Sequence, residues 1–124
     1  MKNQVAEITE PVVAININQS YRAGINRNDL YEFTRGVWRI GVDRARTADY
    51  AFAVYQGVVK EVYEIDQWYP AGSTLYANRK ILEEWKKGRY EFLGKVAADE
   101  VRDKYVGKTL PERHAQNPIK YFNC

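Results

Sequence analysis

Two residue types that build chemistry are almost missing from this chain. There is one cysteine, Cys124, and one histidine, His114, in 124 residues. A single thiol closes no disulfide within the chain, and the pair falls short of the ligands that a His/Cys zinc site needs. No serine sits in a nucleophile elbow, and no Ser, His, Asp order suits a triad. Adjacent acids such as Glu83-Glu84 and Asp99-Glu100 read as solvated helix charges rather than a working carboxylate pair. The expectation is a chain with no catalytic residues, no metal and no cofactor.

Long apolar runs are lacking too. None approaches the ~20 residues of a membrane span, and Met1-Lys2-Asn3-Gln4 has no apolar signal stretch. A cytoplasmic location with no membrane partner is expected. No repeat, low-complexity tract or Pro/Gly-rich linker divides the chain. Hydrophobic residues make up 45% and charged residues 28%, the balance of an ordinary globular protein. One domain over residues 12–124 is expected, preceded by a flexible polar segment at residues 1–11.

Lysine is absent from one stretch where cations are dense. Between Tyr21 and Arg46 stand Arg22, Arg27, Arg35, Arg39, Arg44 and Arg46 against Asp29, Glu32 and Asp43. That window carries the whole net charge of +3, although nine lysines lie elsewhere. Arginine is favoured where phosphates are gripped bidentately or rings are stacked. A solvated helix and loop that happen to use arginine is the alternative.

Val12–Asn18, β-branched and apolar and then alternating at its end, predicts a strand, and Gln19–Arg27 a loop. Asn26 or Asn28 caps a helix from Asp29, with Leu30, Phe33 and Val37 on its core face and Gly41 as its stop. Tyr50–Tyr55 and Val58–Ile65, separated by Gln56-Gly57, predict a tight hairpin. Trp68–Gly72 predicts a turn and Asn78–Lys87 a short helix or irregular connection. A strand at Arg89–Val96, a short helix at Asp99–Tyr105 and a closing strand at Ile119–Phe122 follow. Hairpin rather than βαβ connections then give an α+β fold, with a small curved, mostly antiparallel sheet or pseudo-barrel and short helices.

On a helix, Arg35 and Arg39 are one turn apart and share a side with Tyr31 and Trp38. Two guanidinium forks beside a ring suit phosphate and base. Alternatively, Trp38 fills the core and the arginines pair with Glu32 and its neighbours. Gly36 within this helix costs about 1 kcal/mol relative to alanine, so either the helix breaks there or another backbone approaches closely. Trp68 and Tyr69, beside Pro70 and Gly72, are candidate walls of an aromatic pocket. Lys108, in Gly107-Lys108-Thr109, is a weak phosphate candidate. Gln116 and Asn117 are able to read a base edge, although an Asn before proline is also a turn former.

The Gly57 hairpin, Phe92-Leu93-Gly94-Lys95-Val96, Tyr105-Val106-Gly107-Lys108 and Gln116–Tyr121 together resemble small PUA-like domains, the superfamily of PUA, ASCH, EVE and YTH families. More narrowly, Asn18–Trp68 and the ending resemble an accessory domain of some bacterial proteins that carry a GIY-YIG nuclease module. No GIY…YIG core is present, so nuclease chemistry does not follow. The resemblance implies a PUA-like pseudo-barrel that binds DNA or RNA, and in some branches a modified base in an aromatic pocket. It also implies a nuclease or modification-system protein as a partner. A few ASCH-type proteins are amidohydrolases that use lysine, threonine and glutamate, and Lys108, Thr109 and Glu112 are of those types.

The function expected is therefore a non-catalytic nucleic-acid-binding module. Its candidate contacts are Arg22, Arg35, Trp38, Arg39, Arg44, Arg46, Trp68, Tyr69, Lys108, Gln116 and Asn117. A protein-interaction or regulatory subunit, using exposed tyrosines and arginines, is the main alternative, and a small hydrolase a third.

Overall fold

The β-branched run Val12–Asn16 forms β1, whose first four residues are fully buried, as the middle of a sheet requires. The computed structural model describes residues 4–77, 79–111 and 118–124. In order along the chain the elements are β1, α1 (Arg27–Arg35), α2 (Val42–Ala45), β2 (Tyr50–Tyr55), β3 (Val58–Pro70), a 3₁₀ turn (Glu83–Trp85), β4 (Tyr90–Val96), α3 (Asp99–Tyr105) and β5 (Ile119–Phe122).

The strands make one sheet in the order β4-β3-β2-β1-β5. β1 and β2 are parallel, from Val12 opposite Tyr50 to Asn16 opposite Val54, and the other neighbours are antiparallel. Two expectations are corrected here. The β1–β2 connection is a crossover through α1 and α2, because parallel neighbours need a long return path. The sheet is therefore mixed, while the expected mostly antiparallel pairing stands, with one parallel pair. It is also open, with β4 and β5 as its two edges, so no barrel closes. The α+β class stands, with few and short helices.

Alternation divides the core between the two sheet faces. Val13, Ile15, Ala51, Ala53, Tyr63, Trp68 and Phe92 pack on one side with Leu30 and Tyr31 of α1 and Ala45 of α2. Val12, Ala14, Phe52, Val54, Val59 and Val62 pack on the other with Tyr105 of α3 and Leu110. The β2–β3 hairpin turns where expected. Gln56 and Gly57 have φ of 49° and 79°, the left-handed pair that a two-residue turn demands.

Asn26 caps α1, its Oδ1 accepting from Asp29 N at 2.8 Å. The helix then stops at Arg35, short of the expected Gly41. Both alternatives that Gly36 left open are realised: the helix ends, and β4 crosses so closely that a Cβ on Gly36 would lie 2.8 Å from Glu91 Cβ. Val37 is still buried, but from an extended stretch rather than a helix face.

The lead-in also differs from expectation. Ala6 is 3% exposed and donates to Thr109 O at 2.7 Å, while Thr109 N donates to Gln4 O at 2.8 Å. The cause is a small apolar patch beside Leu110 that this stretch covers. Glu10 anchors it to α3. Its carboxylate accepts from Lys104 Nζ at 2.9 Å and from the Tyr105 hydroxyl. Partial burial raises the Glu10 pKa, but the donors Tyr105, Lys104 and Thr9 outweigh it and hold the carboxyl below its ordinary value.

A carboxyl whose pKa is lowered on folding stabilises the fold above its unfolded pKa, and loses that contribution as pH falls through the lowered value. Glu10→Gln is expected to lower the denaturant midpoint at neutral pH. The gap to the parent should close in acid, below the ordinary glutamate range. Paired urea titrations across pH check this, and a gap independent of pH would contradict it.

Candidate nucleic-acid interface

The end of α1 meets β4 over a buried ion pair. Arg35 and Glu91 have side chains 3% and 0% exposed, with Nη1 and Oε2 3.9 Å apart. The Thr74 hydroxyl stands between them, accepting from Arg35 Nη1 at 2.7 Å and donating to Glu91 Oε2. Glu91 also accepts from Gly72 N at 2.9 Å, Thr74 N at 2.8 Å and the Tyr76 hydroxyl at 3.2 Å. Arg35 Nη2 donates to Leu75 O at 2.7 Å, and the guanidinium lies 3.8 Å from the Tyr76 ring centre. Burial, followed by the Glu91 carboxylate, pushes the Tyr76 hydroxyl pKa well up despite Arg35, so it stays a donor. A second layer repeats the pattern: Glu32 Oε2 accepts from Ala77 N at 2.6 Å, and Arg79 donates to Glu32 O at 2.8 Å and to Gly36 O. Loop 71–77 is therefore wrapped around charges that bond inside the protein, with Arg35 Nε buried and without a partner among the described residues.

Beyond Gly36 the chain runs along the free edge of β4. Trp38 and Tyr90 exchange both backbone hydrogen bonds at 2.9 Å, and the Trp38 indole donates to Thr34 O at 2.8 Å. The next residue, Arg39, is exposed and has no hydrogen bond or ion pair among the described residues. Its Nη1 lies 3.6 Å from the point where a Cβ on Gly88 would stand. Arg39 thus borders a second basic segment: Arg79, Lys80, Lys86, Lys87 and Arg89 against only Glu83 and Glu84. Within it Trp85 is 38% exposed, Lys86 Nζ pairs with Glu83 at 2.8 Å, and Lys87 is exposed without an ion-pair partner among the described residues. Arg39 meets this segment at Gly88, so the cationic corner is Arg39 with the chain neighbours of that glycine across the contact: Lys87, exposed, and Arg89, half-buried with its Nε buried and without a partner among the described residues.

The structure scatters the other candidates. Arg35 is buried, not available to a phosphate outside, because Glu91 and the loop claim it. Trp68 is 2% exposed and sits against Phe92 in the core, so it lines no open pocket. Tyr69 is half-buried on β3 opposite Glu91. Arg22 pairs with Asp29 at 3.4 Å and Arg46 with Asp43 at 3.3 Å. Arg44 donates to Cys124 O at 3.0 Å and stacks on Tyr121. Lys108 lies in the turn after α3, with its backbone bonded to Tyr105 and Val59. Gln116 and Asn117, like Glu112, lie outside the described residues. The one-turn spacing of Arg35 and Arg39 is lost with the helix.

Sequence reasoning missed Glu91, Thr74 and Arg79 in the buried layer, and Trp85, Lys87 and Arg89 at the corner. A lone glutamate inside the apolar strand Tyr90-Glu91-Phe92-Leu93 was the available signal for the first group. Comparison with known proteins adds no relative: no family model, no curated protein and no solved structure matches this chain.

Thr74→Val keeps the shape at the centre of the layer and removes the hydroxyl that joins Arg35 to Glu91. It leaves a buried donor and acceptor short of a partner, a loss of about 1–3 kcal/mol. Chemical denaturation measures it. An unchanged midpoint would mean that the hydroxyl carries none of the coupling.

Proposed function

We propose that this chain is a non-catalytic nucleic-acid-binding domain that engages DNA or RNA through the corner of Arg39, Lys87, Arg89 and Trp85. The carrying observation is that Arg39, exposed and unpaired among the described residues, is set against the basic 79–89 segment, where Trp85 offers a partly open ring. Guanidinium and ammonium groups bind phosphates wherever a backbone comes within reach, and a ring among them stacks on any base. This division suits a strand whose sequence is not read. Membership of the PUA-like superfamily, and a nuclease or modification-system partner, belong to the same proposal.

One observation favours a second reading. Leu75 is 95% exposed at the tip of a loop tied down from beneath. Under the interaction-subunit alternative, Leu75 is the side chain that a partner would bury. Leu75→Ser separates the two, because it should weaken self-association seen by sedimentation and leave nucleic-acid affinity unchanged.

Fluorescence anisotropy with labelled single-stranded DNA, single-stranded RNA and duplex tests the main proposal. The logarithm of affinity should fall linearly with the logarithm of salt concentration. Arg39→Ala and Lys87→Ala should each lower the magnitude of that slope by about 0.7–0.9, the share of one phosphate. Trp85→Ala should weaken single-strand binding by about 1–3 kcal/mol. No binding to any of the three at low salt would overturn the reading.

A further inference from the structure

At the far end of β3 from the cationic corner lies a pocket of about 370 Å³ that shares no residue with it. It lies at the carboxyl ends of the parallel strands β1 and β2, where Asn16 stands opposite Val54. In open sheets with parallel strands, ligands are held in the crevice outside those ends. The floor is apolar and buried: Ala14 of β1, Val54 of β2 and Leu110. None of the described lining residues is aromatic, so this is not the aromatic base pocket expected from the sequence.

The polar groups around this floor are of both kinds. Asn16 Oδ1 accepts from Asn18 N at 2.8 Å, and Asn18 Oδ1 accepts from Gln56 N at 2.7 Å. A backbone N–H only donates, so each side-chain amide must offer it the oxygen. Two NH₂ donors are left, and neither has a hydrogen-bond partner among the described residues. The Gln56 amide and the Thr109 hydroxyl also line the pocket, and their side chains too have no partner among the described residues. Gln56 brings a carbonyl oxygen and Thr109 a hydroxyl oxygen, so both supply acceptors. Lys120, which completes the wall, already has an interaction of its own. Selection of a ligand therefore rests on uncharged groups.

A concave site of this volume, apolar below with a few polar groups at the side, matches the anatomy of small-molecule sites. Donors held by the main chain next to free acceptors set the ligand's chemistry. A carboxylate or phosphate carries acceptors alone and offers nothing to Gln56 Oε1 or the Thr109 oxygen. An ammonium offers nothing to the asparagine NH₂ groups. A neutral amide edge carries a C=O and an N–H side by side and satisfies both sets at once. Its dehydration also costs far less than that of an ion, which needs a free countercharge in the pocket. We propose that this pocket binds a small neutral molecule through a carboxamide or lactam edge. Its C=O accepts from Asn16 and Asn18, its N–H donates to Gln56 and Thr109, and its apolar body rests on Ala14, Val54 and Leu110. This goes beyond nucleic-acid binding and does not depend on it.

The test is a ¹H–¹⁵N correlation titration of the full chain with three probes built on one ring: benzamide, benzoate and N,N-dimethylbenzamide. Benzamide offers acceptor and donor, benzoate acceptors and a charge, and the dimethyl amide an acceptor alone. Saturable shifts of the Asn16 and Asn18 side-chain amides and of the Gln56, Gly57 and Thr109 backbone are expected with benzamide. Each of the other two should bind about three- to tenfold more weakly. Asn18→Asp keeps an oxygen for Gln56 N–H, so the hairpin is retained, but exchanges a donor for an acceptor. Benzamide affinity should fall about tenfold. Thr109→Val keeps the β-branched shape and the backbone pairing, removes the hydroxyl, and should cost about threefold. Anisotropy with nucleic acid stays unchanged in both variants. If Asn18→Asp disturbs the hairpin cross-peaks, Thr109→Val decides. No saturation with benzamide, equal affinity for either of the other probes, or parent-like benzamide affinity in a folded variant would each overturn the proposal.

Discussion

The junction of α1, β4 and loop 71–77 depends on one buried interaction, Arg35 with Glu91 through the Thr74 hydroxyl. Taking two charges out of water costs several kcal/mol each, and apolar residues of equal volume are often no less stable. The pair is therefore poorly explained as a source of stability. What an apolar pair lacks is acceptors. Glu91 receives hydrogen bonds from Gly72, Thr74 and Tyr76, and Arg35 binds the carbonyl of Leu75. Backbone groups inside a loop need partners if the loop is to have one conformation, and these charges supply them. The ion pair specifies a loop.

That constraint extends to the proposed interface. The chain leaves α1 past the Cα of Glu91 at a distance that admits no side chain, so Gly36 is required there. It then joins β4 as an outer partner at Tyr90, covering part of an edge that would otherwise stay open to other chains. Arg39 follows, one residue past the bridge and outside it. Its exposure, like the burial of Arg35, follows from this path. Two arginines that a continuous helix would have set side by side end on opposite sides of the protein surface because a glycine broke the helix between them.

This shows which parts of the fold were legible in the sequence. Strong local signals held: the β-branched run Val12–Asn16, the Gln56-Gly57 turn, the Asn26 cap and the short α3 all lie where propensity puts them. Pairing was not legible. Whether β1 meets β2 side by side in parallel is decided by how residues 17–49 pack back on the sheet, which no window of periodicity reports. The candidate site was legible only at Arg39. Charge counted by windows hid the 79–89 segment, since the acids elsewhere bring the remainder of the chain to zero. Trp68, judged from the turn beside it, belongs instead to a strand that runs on to Pro70 and buries it.

The sheet thus carries different chemistry at its two ends, and β3 spans both. At Pro70 the exposed charges are those of Arg39 and Lys87, long side chains that act at a distance, are screened by salt and adapt to a flexible backbone, with Arg89 half-buried between them and the sheet. At Val58 the groups are two amides whose orientation is set by main-chain N–H donors. Such donors act only at hydrogen-bond distance and hold one geometry. Orientation of this kind costs a ligand little, because the protein has already lost the side-chain freedom in folding. A diffuse cationic corner is suited to a polymer that approaches along many paths.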